Sequence, residues 1–287
     1  MIIVRLQGRL GNQMFQYALA RSLKQNGRKV YIDSSMLRYD DNHNELGIFA
    51  GTLAIPEAMQ ADIDCLGDCR KKIFDKVKRK VFGYKKTHIL ENGYQYHPEI
   101  FDLDQVYLEG YWQTEKYFSQ IPDIIRHDFT FPPIVDEKNR KLAHKINSCQ
   151  AVSMHIRRGD YLSDKNAPMH GNICTKDYYR KAISYVKEKV KNPVFFIFTD
   201  DPNWARQEYS NQEEYIIVDQ NHGESSYRDM QLMSMCKHHI IANSSFSWWG
   251  AWLDENSDKI VVAPSKWFNL AQTPDVWCDG WKTCPIR

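Results

Sequence analysis

The chain lacks a hydrophobic run long enough to cross a membrane. Its longest uninterrupted aliphatic or aromatic run covers residues 194–198, whereas a membrane-spanning helix needs about 20 apolar residues. The sequence enters at once into Ile2-Ile3-Val4, without the basic region, apolar stretch and cleavage site of a signal peptide. We therefore expect a cytoplasmic protein with at most peripheral contact to the inner membrane.

Neither sign of charge is in excess, and the cysteines do not form a recognisable site. The 38 Lys and Arg residues nearly balance the 36 Asp and Glu residues, so no global field attracts nucleic acid. The seven cysteines cannot all pair within one chain, and none has the C-x-x-C spacing of zinc or redox sites. We expect reduced thiols, with a bond between Cys278 and Cys284 as the first alternative.

One stretch departs from the balanced charge: it begins at Arg70, ends at Lys86 and holds nine basic residues against one acid. Ile73, Val77 and Val81 recur every four residues, which predicts a basic amphipathic helix. Such a helix can lie on an anionic membrane surface, bind an acidic partner, or pack as an ordinary surface helix by its apolar stripe. Nucleic-acid binding is the least favoured interpretation because no nucleic-acid motif accompanies the basic residues.

Apolar runs of strand length alternate with segments of helical periodicity along most of the chain. Strands are predicted at residues 2–6, 29–32, 151–156, 194–198, 215–218, 239–242 and 260–263. Helices are predicted between them, for example at 177–190 and 227–236. This alternation is typical of an α/β protein with mostly parallel sheets. Phe131-Pro132-Pro133 interrupts the pattern and predicts two domains, 1–135 and 136–287.

The predicted strand 151–156 ends in the sequence His155-Ile-Arg-Arg-Gly-Asp160. Doubly wound sheets bind ligands beyond the carboxyl ends of their strands, so this cluster lies where a ligand is expected. Arg157 and Arg158 can bind phosphate oxygens bidentately, and adjacent arginines are costly unless an anion compensates them. A surface salt bridge to Asp160 is the alternative.

Two more predicted strands end in polar clusters. Asp200 and Asp201 follow the strand 194–198 and could bind a metal or a ribose, or cap the helix that follows. The sequence Asn243-Ser-Ser-Phe246 follows the strand 239–242, where hydroxyls and backbone N–H groups ahead of a helix can bind an anion. Simple N-capping by Ser247 is the alternative.

Two further features concern a nucleotide ligand. Asp229 precedes a helical run, and its carboxylate can accept hydrogen bonds from both N1–H and N2–H of guanine. The turn Gly8-Arg-Leu-Gly-Asn-Gln13 follows the first strand, but it is neither G-x-G-x-x-G nor a P-loop. Metal-ligand spacings and a nucleophile elbow are also absent. The residues alone thus predict an α/β enzyme that binds an anionic ligand such as a nucleotide, without an evident metal site.

Four motifs resemble those of family 11 glycosyltransferases, the α-1,2-fucosyltransferases. They are Gly8-Arg-Leu-Gly-Asn-Gln-Met-Phe-Gln-Tyr-Ala18, His155-Ile-Arg-Arg-Gly-Asp160, Phe198-Thr-Asp-Asp201 and Asn243-Ser-Ser-Phe-Ser-Trp-Trp249. The motifs occur in the expected order and extend over most of the chain. The His-x-Arg-Arg-x-Asp motif is shared more loosely with α-1,6- and protein O-fucosyltransferases, whereas the opening turn and the Ser-Ser-Phe-Ser-Trp-Trp block are more specific.

The resemblance implies a GT-B-type α/β fold, in which two Rossmann-like domains with mostly parallel sheets face each other across a cleft. The first domain would be the acceptor side, and the second would hold GDP-fucose. The reaction implied is metal-independent, inverting transfer of L-fucose to the 2-hydroxyl of a terminal β-galactoside, with GDP-fucose as co-substrate and no further cofactor. The chain resembles a bacterial member, for which a galactose-terminated oligosaccharide or a lipid-linked glycan of O-antigen synthesis is the expected acceptor.

The resemblance also implies roles for residues of the second domain. Arg157 would hold the donor diphosphate, Arg158 would support it or the reaction, and His155 would contact the nucleotide. Ser244 and Ser245 would bind phosphate. The other positions matched to donor-binding motifs are Asp200, Asp201, Asp229, Asn243 and Phe246.

Three roles concern guanine recognition and the reacting carbon. Asp229 would read guanine, as the matching aspartate does in the α-1,6 relatives. Arg9 and Asn12 would reach the cleft from the first domain, near the reacting carbon. Our candidate for the general base is Asp160, because it lies beside the phosphate-binding arginines.

Two other functions stay open at this point, and so does the acceptor site. One alternative is a GDP-fucose-dependent transferase that makes another linkage, and the other is a nucleotide- or glycan-binding protein without turnover. The intact Arg157, Arg158 and Asp160 count against the second alternative. Aromatic residues concentrate at 88–98 and 107–117, where they suit either sugar stacking or a core; they include Tyr94, Tyr96, Tyr111 and Trp112.

Overall fold

The computed structural model of the chain describes residues 1–37, 43–68, 80, 83–210 and 212–285. Ile73, Val77 and Val81, the apolar stripe of the predicted basic helix, lie outside these ranges, so that helix stays a prediction. None of the helices in the described ranges is long and apolar enough to span a bilayer. The chain divides into two compact units, Met1–Pro132 and Pro133–Arg287, and the predicted boundary at 135 lies close to this division.

The first unit contains a four-stranded parallel sheet with the strand order β2-β1-β4-β3. Its strands are β1 (Ile2–Arg5), β2 (Val30–Asp33), β3 (His88–Leu90) and β4 (Val106–Glu109). Among the described residues of this unit, the α-helices are α1 (Leu10–Gln25), α2 (Gln60–Leu66) and α3 (Pro122–Asp128). Helix α1 is buried along most of its length, and the chain leaves it through Gly27, whose φ of 78° suits glycine.

The second unit contains a six-stranded parallel sheet with the order β10-β9-β8-β5-β6-β7. Its strands are β5 (Gln150–Ile156), β6 (Pro193–Thr199), β7 (Tyr215–Val218), β8 (His238–Ile240), β9 (Val261–Pro264) and β10 (Lys282–Cys284). Its helices are α4 (Glu137–Asn147), α5 (Ala167–His170), α6 (Lys176–Lys189), α7 (Pro202–Tyr209), α8 (Tyr227–Ser234) and α9 (Ser245–Leu253).

The strand order of the second unit contains a topological switch point. The chain builds β5, β6 and β7 in one direction, then returns to the other side of β5 and builds β8, β9 and β10. The loops that follow β5 and β8 therefore diverge, and the crevice between them is where doubly wound sheets bind their ligands. The predicted polar clusters at residues 155–160 and 243–246 follow these two strands.

Side chains of β5 pack alternately against two cores. Val152, Met154 and Ile156 pack with Tyr178 and Tyr179 of α6 on one face. The opposite face, which carries Ala151, joins the core formed with α4 and α8. Because side chains alternate along a strand, His155 lies on the second face.

The α/β fold with parallel sheets is confirmed, and the seven predicted strands coincide with observed strands to within two residues at each end. Strands β3, β4 and β10 were not predicted, although the equally short strands β1, β2, β7, β8 and β9 were. Trp248, Trp249 and Trp252 are core residues. Cys278 and Cys284 are not joined by a disulfide, so the alternative of a bond between them is wrong.

Candidate active site

Two arginines follow β5 and are held by aspartates. Arg157 Nη2 lies 2.8 Å from Asp160 Oδ1, and Arg157 Nε lies 3.1 Å from Asp200 Oδ2. Arg158 Nε lies 3.2 Å from Asp201 Oδ2, and its guanidinium stacks 4.4 Å from the ring centroid of Trp204. The tips of β5 and β6 are thus joined by charge-assisted hydrogen bonds.

Asp200 organises the backbone of residues 157–160, which we call the arginine loop. Its Oδ1 accepts hydrogen bonds from the backbone N–H groups of Arg158, at 2.8 Å, and Gly159, at 3.2 Å. A Cβ at position 159 would lie 3.0 Å from Asp200 Oδ2, so glycine allows the close approach. Asp200 therefore fixes the direction in which Arg157 leaves the strand.

The charges within this cluster correct one part of the sequence argument. Adjacent arginines at a strand end were expected to require an external anion, but three aspartates already lie against them. The predicted alternative, a salt bridge to Asp160, is present. About a third of each arginine side chain is exposed, and Asp160 is the most exposed partner at 48%, which makes it the one that an incoming anion can replace most easily.

Asp201 caps helix α7. Its Oδ1 accepts a hydrogen bond from the backbone N–H of Trp204 at 3.1 Å, as Asp does at many helix N-termini. The capping interpretation of this carboxylate is therefore confirmed, and the same side chain holds Arg158.

His155 is buried and neutral. Its side chain lies on β5 with a ring-centroid distance of 5.9 Å to Phe246 of α9, and the residue is 6% exposed. Burial, supported by the charge of Arg157, lowers the pKa of His155 to about 3. Its Nδ1 has no hydrogen-bond partner among the described residues. Because buried polar atoms are normally paired, this nitrogen is a candidate contact for a ligand.

The turn between β8 and α9 is held by Asn243. Its Nδ2 donates to the backbone carbonyls of His170, at 3.2 Å, and Trp267, at 3.1 Å. Ser244 is the N-cap residue of α9 but makes no capping hydrogen bond with its side chain. Ser247 does not cap the helix, because its Oγ donates to the carbonyl of Ser244. The first turn of α9 thus keeps the positive end of the helix dipole beside the switch point.

Tyr161 joins the two loops of the switch point and was not predicted as a site residue. Its hydroxyl donates to the backbone carbonyl of Asn243 at 3.1 Å, and its ring stacks on His170 at 4.8 Å. The Arg157 guanidinium lies 5.5 Å from the ring centroid. Burial raises the pKa of Tyr161 to about 12, so the hydroxyl stays protonated. Its place beside Asp160 was the only hint in the sequence.

Asp229 lies in the first turn of α8, in the segment that follows β7. Burial raises the pKa of its carboxyl to about 7, although the hydrogen bond from Asn221 opposes this. Asn221 Nδ2 donates to Asp229 Oδ1 at 2.7 Å, and Asn221 is itself held by Asn139 of α4 at 2.7 Å. Neither asparagine was predicted, because the sequence carries no signal that two residues 82 positions apart form a pair.

Arg9 and Asn12 belong to the first unit, and the structure places them within its own hydrogen-bond network. Arg9 pairs with Glu45, which also accepts the backbone N–H of Leu10 at 2.8 Å. Asn12 Oδ1 accepts from Gln113 Nε2 at 2.8 Å. Their role toward the donor stays a prediction.

The aromatic residues of the first unit divide between core and surface. Trp112 is a core residue, whereas Tyr94, Tyr96 and Tyr111 are partly exposed. Glu91 supports the turn that carries two of them, since its carboxylate accepts the backbone N–H groups of Tyr111, at 2.6 Å, and Trp112, at 3.0 Å. The core role is thus found for one of the four, and sugar stacking stays a prediction for the others.

Within the part of the chain that the structure describes, no group of three or more His, Cys, Asp or Glu side chains is placed to hold a metal ion. Asp200 and Asp201, the pair considered for a metal, point their carboxylates at arginines instead.

Comparison with known proteins identifies the family. The model of glycosyl transferase family 11 matches residues 1–282. The chain belongs to glycosyl transferase family 11. The family assignment agrees with the four motifs, and it establishes the chain as a glycosyltransferase.

Three curated relatives of this family 11 chain show the range of named activities. It is 36% identical to an alpha-1,2-colitosyltransferase of Escherichia coli, over 93% of this chain and 92% of that protein. It is 32% identical to the Escherichia coli O-antigen biosynthesis glycosyltransferase WbnK, over 96% and 98%. It is 26% identical to the galactoside 2-alpha-L-fucosyltransferase SEC1 of Bos taurus, over 87% of this chain and 63% of that protein.

A solved structure shares the fold of this family 11 chain. The NodZ alpha-1,6-fucosyltransferase soaked with GDP-fucose matches with a TM-score of 0.54 at 16% identity, over 88% of this chain and 91% of that one. The likeness confirms the GT-B-type α/β fold.

Proposed function

We propose that this family 11 glycosyltransferase transfers L-fucose from GDP-fucose to the 2-hydroxyl of a terminal β-galactoside during the synthesis of a bacterial surface glycan. The observation that carries the proposal is the arginine loop, which follows β5 at the switch point beside the N-terminus of α9. The names of the bacterial relatives support a role in O-antigen synthesis, and that of the bovine relative supports a galactoside acceptor.

The donor would bind with its diphosphate against Arg157 and the first turn of α9. A guanidinium fork matches two phosphate oxygens, and backbone N–H groups at a helix N-terminus stabilise negative charge. Guanine would lie toward Asp229, whose ionised carboxylate can accept N1–H and N2–H. GDP-fucose would then donate a hydrogen bond to the unpartnered Nδ1 of His155, since a neutral imidazole ring can accept one.

The reaction would be a single displacement at the anomeric carbon of fucose. The acceptor O2 forms a bond to C1 on the face opposite to GDP, while the bond from C1 to the diphosphate oxygen breaks. The electron pair of that bond leaves with GDP, and the hydroxyl proton passes to a base. Positioned guanidinium groups stabilise the charge that develops on the leaving oxygen, which is why we propose a reaction without a metal ion.

Binding of the donor would also release the base. Asp160 is paired with Arg157 in the free protein, and the more buried Asp200 holds the same guanidinium from another side. A diphosphate that takes the place of Asp160 leaves this exposed carboxylate beside the reacting carbon, where it can accept the proton.

A second donor is favoured by one specific observation, the 36% identity to a colitosyltransferase. Colitose lacks only the 3-hydroxyl of fucose, so GDP-colitose would use the same diphosphate and guanine contacts. Discrimination would then rest on a hydrogen bond to that hydroxyl, and a site built for it rejects the analogue that lacks it.

Calorimetry tests donor recognition without knowledge of the acceptor. The full chain is titrated with GDP, UDP and ADP in EDTA, and saturable binding of GDP alone is expected. Equal affinity for all three nucleotides would reduce the arginine loop to a general anion site. Binding that appears only after Mg²⁺ is restored would contradict the metal-free reaction.

A transfer assay tests the sugar and the linkage. GDP-fucose and GDP-colitose are each incubated in EDTA with lactose, N-acetyllactosamine and free galactose, and the products are analysed by NMR. An α-1,2-fucosylated galactoside is expected. If only GDP-colitose gives a product, the donor is GDP-colitose and not GDP-fucose. If GDP-fucose gives another linkage, the acceptor hydroxyl is not the 2-hydroxyl.

A further inference from the structure

A cavity of about 350 Å³ lies in the segment between β9 and β10 of the second unit. We refer to it as the β9 pocket and define it by Lys266, Asn269, Leu270, Gln272, Thr273 and Trp277 of its lining. The volume is at the lower end of the range for small-molecule sites and offers room for a monosaccharide or a disaccharide.

The lining combines an indole with amide and hydroxyl groups. Trp277 is partly exposed, but its indole Nε1 is buried and has no hydrogen-bond partner among the described residues. A buried donor without a partner costs free energy unless a ligand or water satisfies it. Leu270, which also lines the pocket, is 72% exposed, so apolar surface lies beside the indole.

The β9 pocket and the arginine loop follow strands of the same sheet. Strands β5, β8 and β9 are neighbours in the sheet, and two strand spacings separate the ends of β5 and β9 by about 10 Å. Asn243, at the end of β8, donates to the carbonyl of Trp267 in the pocket wall at 3.1 Å.

A row of rings continues from the arginine loop to the pocket wall. Tyr161, which lies under the Arg157 guanidinium, stacks on His170 at 4.8 Å. His170 in turn meets Phe268 edge-on at 5.2 Å, and Phe268 lies next in the chain to Trp267 and Asn269. The pocket therefore lies on the same edge of the sheet as the arginine loop, within the length of a short oligosaccharide.

We propose that the β9 pocket binds a sugar ring of the acceptor glycan, on the donor-binding unit rather than on the first unit. The inference rests on the proposed glycosyl transfer. A pyranose ring has an apolar C–H face that packs on the Trp277 indole and hydroxyls that can accept from its Nε1 and pair with Gln272 and Asn269. Apart from Lys266 the lining is uncharged, and its amide and hydroxyl groups suit the hydroxyls of a neutral sugar, with phosphate as the competing ligand.

NMR of the tryptophan indole groups tests binding directly. The full chain is labelled with ¹⁵N, the Trp277 indole signal is assigned with a Trp277→Phe variant, and lactose is added with maltose as the control disaccharide. We expect lactose to shift the Trp277 signal and maltose to leave it in place. A Trp277 signal that ignores lactose would overturn the proposal, and so would a shift caused only by inorganic phosphate or by the alkyl chain of a detergent.

Kinetics tests whether the sugar bound there belongs to the acceptor. In Trp277→Phe and Leu270→Ala, the KM for galactose-terminated trisaccharides should rise about tenfold, while the Kd for GDP stays unchanged. Val135→Ala is the matched control for Leu270→Ala, because Val135 is equally exposed, at 74%, elsewhere in the same unit. An unchanged KM for every acceptor in both pocket variants would contradict the inference.

The two assays separate failure of this inference from failure of the proposed function. If no donor supports transfer but lactose shifts the Trp277 signal, the proposed reaction is wrong and the pocket stands. If transfer occurs and neither the signal nor the KM responds, the reaction stands and the pocket is not the acceptor site.

Discussion

Arg157 and Arg158 are neighbours in the chain, yet their side chains make different contacts. Arg157 contacts Asp160 and Asp200 at the switch point. Arg158 turns toward Asp201 and Trp204, which belong to the start of α7. On the proposed function, the first would contact the donor diphosphate, and the second would hold the loop that presents it.

Lysine at these two positions should separate the roles. Arg157→Lys keeps the charge but loses the two-pronged contact, so kcat/KM should fall about a hundredfold, the scale seen when one donor to a developing charge is removed. Arg158→Lys should cost about tenfold or less in the same steady-state assay. Arg180→Lys, on an exposed arginine that pairs with Asp177, is the control. Near-normal turnover of both loop variants would contradict the leaving-group role.

Asp160→Asn tests the base. The amide cannot accept the hydroxyl proton, so the rate of transfer should fall by about a hundredfold or more. GDP affinity should stay the same or rise, because Asn removes the carboxylate that competes for Arg157. A variant that transfers at the wild-type rate would place the base elsewhere.

If Asp229 binds guanine, its raised pKa makes the affinity for GDP depend on pH. Its pKa is raised to about 7, so the carboxyl is largely protonated at pH 6 and ionised at pH 8. Because only the ionised form accepts both guanine N–H groups, the affinity for GDP should rise about tenfold over this interval. Calorimetry with Asp229→Asn should show weaker binding with a flat pH profile. Asp219→Asn, which changes an exposed aspartate paired with Arg206, should retain the slope.

At this scale, the sequence predicts the residues that lie at strand ends but not those that support them. Arg157, Asp160 and Asp200 come together as expected, because the carboxyl ends of parallel neighbours share one edge. Tyr161 and Asn221 carry no such signal, since their partners, Asn243 and Asn139, are brought near only by the finished fold.

Strands β5 and β8 are joined by a buried chain of side chains that resembles a hydrolase triad. Ser153 Oγ lies 2.8 Å from His239 Nδ1, and His239 Nε2 lies 3.0 Å from Asp254 Oδ2. The carboxylate can only accept, so Nε2 carries the proton and Nδ1 accepts from the serine. Ser153 is 3% exposed in the middle of a strand, which excludes attack on a substrate. These three side chains form a structural link across the switch point.

Breaking this link should destabilise the second unit. His239→Ala removes the hydrogen-bond partner of the buried Ser153 hydroxyl and of Oδ2 of the buried Asp254, whose Oδ1 keeps the backbone N–H of Asn256, so the free energy of unfolding should fall by about 3 kcal/mol. Ser153→Ala should cost only about 1 kcal/mol. Urea unfolding measures both, and equal costs would argue against the link.

The same histidine makes stability fall in acid. Burial lowers the pKa of His239 below its ordinary value of 6.5, so the unfolded chain takes up a proton that the native state refuses. Stability is therefore complete above pH 6.5 and declines as the pH falls below it. His239→Gln should lose less stability than the wild type between pH 7.5 and pH 5.5. If the variant and the wild type lose the same amount, other groups cause the acid effect, and His155 is the first candidate.

Among the secondary-structure elements, the local apolar pattern rather than length decides what the sequence predicts, since the three-residue β8 was predicted and the three-residue β3 and β10 were not. Strands β5 and β6 have seven residues each and long apolar runs, and both were predicted. Strands β3 and β10 have three residues each and gain their geometry from pairing with β4 and β9 rather than from a local pattern.

At the scale of the whole molecule, the alternation of strands and helices predicts the fold class, and the family motifs predict the GT-B type. The strand order could not be predicted, because the return of the chain from β7 to β8 depends on which edge of β5 is free. That return creates the switch point, and with it the site.

The aspartates around Arg157 and Arg158 have a consequence for the speed of donor capture. Three carboxylates against two guanidiniums leave this cluster without a positive field, so GDP is not drawn in from a distance. Its association rate constant, measured by stopped flow, should change by less than about threefold between 20 and 300 mM NaCl, whereas a steered encounter slows steeply over this range. Residence time, rather than the frequency of encounters, would then decide which nucleotide sugar the enzyme uses.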